Sequence, residues 1–447
     1  MNNNQNLVDV AARLVELARG KGADEADALV LAGAALEVNV QDGHADKVER
    51  AESRDVGLRV IIDKAEAVVS GSRFDGASLE RLAERAVAMA RLAPADDNAG
   101  LADPALLART FPDLDLADSA EPDAAALIER ARAGEAAGLA VAGVSRSSGA
   151  AASAGRRTMA LAASNGFAGS YQRTSRAFSV SMVAGEGTGM ERDYDYAAAV
   201  HDGDLGAPEV IGRTAGERAV ARLKARKVKT CRVPVVFEQR LAGSLVGHLA
   251  SAVNGSAVAR GTSFLKDRLG EPLFAQGVTV TDDAVRRRGL ASRPFDGEGI
   301  ATGKRAVIEA GVLKTWLLDC RTARKLGLVT TGHAARGPSS GPSPAASNLY
   351  MEPGTVSPAG LIAPIAQGFF VTELIGMGVN PVTGDYSRGA SGFWIDNGQI
   401  TYAVSEVTIA SNLIDMYRTL TAADDLVFRS NTNAPTIRIE EMTVAGR

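Results

Sequence analysis

A chain of 447 residues exceeds the roughly 100 to 200 residues of one ordinary domain, and 46% hydrophobic with 23% charged residues describes a soluble globular protein. Its formal charge of -4 offers no cation cluster to hold a phosphate backbone, and the basic runs Arg222 to Lys229 and Arg286-Arg287-Arg288 read as solvated faces. No nucleic-acid partner is therefore expected. Two cysteines, Cys231 and Cys320, are too few for a disulfide scaffold and are expected reduced and buried.

The opening Met1 to Asn6 is polar and uncharged, unlike a secretory signal, so a cytoplasmic location is expected. A first helix follows, with Leu7, Val10, Leu14 and Leu17 at helical spacing and Gly20 and Gly22 ending it. Leu36 to Val40 and Val56 to Ile62 alternate as strands, and an Asp63-Lys64 turn leads to a return strand through Val68. A helix capped by Ser78 places Leu79, Leu82, Ala86 and Met89 on one face. This order predicts an α+β fold with an antiparallel sheet.

Ala93 to Asp118, rich in Ala, Asp and Pro, reads as a loose connection. Pro122 to Leu139 is a helix, and Asn165-Gly166 signals a hairpin between Met159–Ala163 and Phe167–Tyr171. Pro208 opens a helix predicted to run to about Lys227, where the main boundary is drawn. That division gives an N-terminal α+β domain over 1–227, with the loose connection near 93–118, and a C-terminal domain over 228–447 that is mostly antiparallel β with a few helices.

The second half opens with a strand, Val233 to Phe237, and a helix from Gln239 ended by Asn254-Gly255. Hairpins are predicted at Ala310-Gly311 and Asn397-Gly398. His333 to Ser347, dense in Gly, Pro and Ser, is an irregular loop of the functional or mobile kind. Leu361 to Val379 is broken by Pro364, Gln367 and Glu373, so no membrane span is expected.

Several motifs fail on context. Gly337 to Gly341 matches a nucleophile elbow, but Pro342 and Pro344 stand where a helix must follow. Gly185 to Gly189 is followed by Glu191, Asp193 and Asp195, which would repel a phosphate. The four histidines, His44, His201, His248 and His333, are scattered, and His248 alone sits on a convincing helix, within the stripe of Leu241, Leu245 and Ala252.

The run Gly378-Val379-Asn380-Pro381-Val382-Thr383-Gly384-Asp385-Tyr386-Ser387-Arg388-Gly389-Ala390-Ser391-Gly392, continuing to Gly398, closely resembles the C-terminal signature of the TldD/PmbA family. Gly261-Thr262-Ser263 and Pro435 to Ile439 extend the resemblance over nearly all of the C-terminal half. For active TldD-type members this family implies a His-Glu-x-x-x-His helix and a cysteine near the C-terminus, binding a zinc that activates water. On this chain the first histidine falls on Gly243, the glutamate on Ser244, and the second histidine on His248. The active motif needs a widened helical turn, for which Gly247 is the candidate position.

The resemblance therefore implies a PmbA/TldE-type, non-catalytic subunit with no cofactor of its own, paired with a zinc-bearing TldD-type subunit or resting as a homodimer when alone. Its substrate would be an unfolded peptide, as in the antibiotic trimming and antitoxin degradation linked to the family. The peptide cleft would be lined by His248, Gly378, Asn380, Thr383, Gly384, Asp385, Ser387, Gly389 and Gly392, unless these glycines merely serve tight turns. Two other readings stand beside it. One is a protein-binding modulator of DNA gyrase, after an old label of the family. The other is a peptidase in its own right, joining His248 to Glu238, Asp282, Asp283 or Asp385.

Overall fold

The protein is described here as a computed structural model covering residues 3–446; Met1, Asn2 and Arg447 and the side chains of residues 3–6 lie outside the described residues, and with them most of the polar opening. Helix α1 (Asn3–Gly20) buries Leu7, Leu14 and Ala18 against a six-stranded sheet. Its strands are β1 (Glu25–Gln41), β2 (His44–Ile62), β3 (Ala65–Gly71), β4 (Val144–Ala163), β5 (Ala168–Ala184) and β6 (Glu191–Ala199). They run in the order β3-β2-β1-β4-β5-β6, every neighbour antiparallel. Helix α2 (Gly76–Ala90) joins α1 on the sheet, while α3 (Ala124–Leu139) and α4 (Pro208–Ala221) cover Phe178 and Val180 of β5.

The strands are longer than the alternating segments in the sequence, because the first half of β2 is exposed and carries no apolar face to read. Helix α2 is capped by Asp75, whose carboxylate accepts from the Ser78 N–H at 3.0 Å, so Ser78 lies inside the helix; Met89 is exposed. Helix α4 stops at Ala221, before the predicted Lys227, and Lys224 takes a φ of 62° that no helix continues through.

Residues 93–118 are irregular but tightly held, which corrects the reading of a loose connection. Leu101, Leu107, Leu114 and Leu116 are buried, and Arg324 of the second half donates to the carbonyls of Asn98 and Gly100 at 3.0 and 3.1 Å. The 333–347 loop is likewise an anchor. Arg336 is buried and donates to Asp27 of β1, which also accepts from Arg59 Nε of β2 at 2.8 Å. Burial would raise the Asp27 carboxyl, but Arg336 and Arg59 outweigh it and hold it below the ordinary carboxylate range.

In the second half, β7 (Cys231–Phe237) lies between the strands Gln367–Ile375 and Ile437–Ala445. The sheet continues from Gln367–Ile375 through Asp385–Asp396 to Gln399–Asn412, which pairs back onto Ile437–Ala445 and closes a small barrel. Most pairs are antiparallel, but β7 pairs in parallel with Gln367–Ile375. The barrel packs its inner face on α5 (Gln239–Ala252) around Phe237, Leu245, Leu249, Phe369 and Tyr417. Among the described residues, no helix is long and apolar enough to cross a membrane.

Candidate functional site

Helix α5 leaves the end of β7 with Ala242, Leu245, Val246, Leu249 and Ala252 turned into the core. It is regular from end to end, so Gly247 carries no widened turn. Gly243 faces the backbone of the short strand Thr432–Asn433: a Cβ built there would stand 2.8 Å from the Thr432 carbonyl oxygen and 3.6 Å from the Asn433 Cα. Glycine is required by that approach, and a side chain as large as an imidazole has no room.

The hydroxyl of the next residue, Ser244, and the Nε2 of His248 one turn beyond it are buried without hydrogen-bond partners. The His248 ring meets the Tyr386 ring edge-on, with centroids 5.9 Å apart. Tyr386 and Arg388 lie two residues apart on the strand Asp385–Asp396 and so share a face. Tyr386 is 1% exposed, and burial pushes its phenol up to about 12. The Arg388 guanidinium lies close enough to oppose that rise, without hydrogen-bond geometry at the hydroxyl. Burial first, and then the charge of Arg388, hold the His248 imidazole below its ordinary range, leaving it neutral at physiological pH. The Nε of Arg388 is buried without a partner.

These groups do not fit a zinc ion. A zinc site needs about four electron-pair donors, whereas His248 is the one imidazole here, Gly243 offers none, and Arg388 repels a cation. Cys231 lies on β7 and Cys320 in a separate buried cluster, and no group of three or more His, Cys, Asp or Glu side chains converges among the described residues.

The signature run is largely spent on its own turn. Ser387 N–H donates to the Gly378 carbonyl at 2.7 Å, and a Cβ on Gly378 would overlap the Ser387 carbonyl oxygen at 1.4 Å. The Asn380 side chain accepts from Val382 N–H at 2.9 Å, Thr383 donates to Asp385 at 2.6 Å, and Asn412 holds both Thr383 and Asp385. Gly384 turns the chain, and Gly389 and Gly392 lie in the sheet against Ile375 and Phe370. Met377, beside Gly378, is fully exposed at the hairpin tip. Of the residues singled out from sequence, the structure thus groups His248 with Tyr386 and Arg388, which had been read only as part of the signature. Their alternation along the strand was the available signal.

The carboxylates considered as helpers to His248 are engaged elsewhere. Glu238 accepts from Arg218 and Arg240 at 3.0 Å, and Asp282 is buried against His333 and Ser347. Asp283 accepts from the Val285 N–H, and Asp385 belongs to the turn.

Sequence profiles described as PmbA/TldA metallopeptidase domain 1, central domain and C-terminal domain match residues 26–90, 117–223 and 230–446. Over 443 residues the chain is 36% identical to the metalloprotease PmbA of Escherichia coli O157:H7, spanning 99% of this chain and 96% of that protein. The chain belongs to the PmbA/TldD metallopeptidase family. A PmbA homolog of Haemophilus influenzae is 34% identical over the same 99% and 96% shares. Among solved structures of the same fold, a Bacteroides thetaiotaomicron chain named for modulation of DNA gyrase superposes with a TM-score of 0.91 at 28% identity, each chain fully covered. TldE of Thermococcus kodakarensis superposes at 0.87 and 22% identity, over 97% of this chain and 99% of that one, which speaks to the fold alone.

Proposed function

We propose that this chain is the non-catalytic, PmbA/TldE-type half of a heteromeric zinc peptidase that degrades or trims unfolded peptides in the cytoplasm. A TldD-type subunit supplies the metal, and this chain completes the chamber and holds substrate. The observation that carries the reading is Gly243 under the Thr432 carbonyl, with a Cβ at only 2.8 Å, because backbone occupies the place of the first metal ligand. Ser244 stands where the general base would be, and its hydroxyl cannot take a proton from water at neutral pH.

The test is zinc content and peptide hydrolysis of the purified chain, alone and mixed with a TldD-type subunit. Zinc and activity in the mixture and neither in the chain alone are the expected results. Stoichiometric zinc with hydrolysis by the chain alone would overturn the reading.

A further inference from the structure

Tyr386 and Arg388 of the strand Asp385–Asp396 lie against His248 of α5, and Ser244 precedes His248 by one helical turn; each of the four leaves a buried atom without a partner: Ser244 Oγ, His248 Nε2, the Tyr386 hydroxyl and Arg388 Nε. Ser244 and His248 lie four residues apart on one helical face, and Tyr386 and Arg388 two apart on one strand face. Buried polar atoms are nearly always paired, so four orphans in one place describe a site shaped for something else. All four can donate: the two hydroxyls, the guanidinium, and an imidazole in its Nε2–H tautomer. The only formal charge among them is positive, that of Arg388, whose Nε is buried without a partner. The ligand that such donors select is a negatively charged hydrogen-bond acceptor, and a planar carboxylate matches the guanidinium fork. The way in lies along α5, where Ser244, Gly247 and His248 are only half-buried and a Cβ on Gly247 would meet nothing within 4 Å.

We propose that Ser244, His248, Tyr386 and Arg388 form a carboxylate-binding site, which takes the terminal or side-chain carboxylate of a bound peptide. The peptide part rests on the reading above; the carboxylate part does not.

The first measurement uses acetate as the probe and the full chain labelled with 13C-histidine. The His248 ring signal, one of four, is assigned by its loss in His248→Gln. A saturable shift of that signal is expected, weakened about tenfold or more in Arg388→Gln and less in Arg388→Lys, which keeps the charge without the fork. Absence of a saturable shift in the unaltered chain, or an equal one in Arg388→Gln, overturns the site. The second measurement compares a labelled unfolded peptide ending in a free carboxylate with its C-terminal amide, and with an amide carrying one internal Glu. About tenfold tighter binding of the acid assigns a chain terminus, and recovery by the internal Glu assigns a side chain. Equal binding of all three peptides overturns the role of the site in peptide capture. Acetate binding with no peptide binding would overturn the peptide reading and leave the site standing.

Discussion

Glu298→Gln tests whether a buried acid in the contact between the two halves carries a proton in the folded protein. Glu298 is 5% exposed and its Oε2 accepts from the Cys320 N–H at 2.8 Å. Asp296 beside it is fully buried and its carboxylate accepts from the Glu298, Ile300 and Ala334 N–H groups at 2.9, 3.0 and 3.0 Å. Three such bonds favour the charged form of Asp296, but burial outweighs them and raises its carboxyl above the ordinary range. Burial first, and then the neighbouring Asp296, push Glu298 up to about 7. A group with a raised folded pKa binds more protons folded than unfolded between those two values. Stability is therefore greatest below pH 4.5 on this account and falls as pH rises to about 7. The interval of about 2.5 units corresponds to about 3 kcal/mol. Glutamine keeps an acceptor for the Cys320 N–H and does not titrate, so the variant should match the parent below pH 4.5 and exceed it by about 3 kcal/mol at pH 8. A chain this long need not unfold in one transition, so exchange of the Cys320 amide is followed together with urea unfolding. Parallel pH profiles for parent and variant would refute the argument, as would a variant less stable than the parent at pH 8.

Removing the charge of Asp27 with Asp27→Asn leaves the buried Arg59 and Arg336 without their shared counter-charge, and should cost about 3–5 kcal/mol, read as a lowered Tm. Gly378→Ala places a Cβ 1.4 Å from the Ser387 carbonyl oxygen, so it should open the hairpin and make residues near Met377 more sensitive to limited proteolysis; unchanged cleavage would refute the close approach. Rebuilding the missing motif as Gly243→His with Ser244→Glu should yield a destabilised chain without stoichiometric zinc by metal analysis, because the Thr432 backbone and Arg388 both oppose the ion.

Much of the fold was legible wherever the deciding chemistry is local. Asn165-Gly166, Ala310-Gly311 and Asn397-Gly398 all form their hairpins, with Ala310 and Asn397 both at a φ of 48°. The closing of the barrel by pairing of Gln399–Asn412 with Ile437–Ala445 joins segments whose register no local pattern encodes. In the 333–347 loop, composition marks the irregular backbone, but the anchoring of Arg336 on Asp27, 309 residues away in sequence, has no local signal. At the site, the identities of Gly243 and Ser244 are plain in the sequence, whereas an unpaired donor is a property of packing and has no sequence signal.

The same contrast bears on how, under the function proposed above, a chain of this family would keep its fold without the metal ligands. Replacing a ligand by a small residue would leave a cavity, which costs stability unless something fills it. Here the Thr432–Asn433 backbone closes on Gly243, and Tyr386 packs edge-on against His248, so the core around α5 stays filled. The electrostatics change sign as well. A zinc site gathers lone pairs around a cation, whereas this one gathers N–H and O–H donors around a fixed guanidinium. Restoring one ligand would leave both the steric block and the repulsion in place. Under that proposal, a metal site would need several coupled changes in this chain.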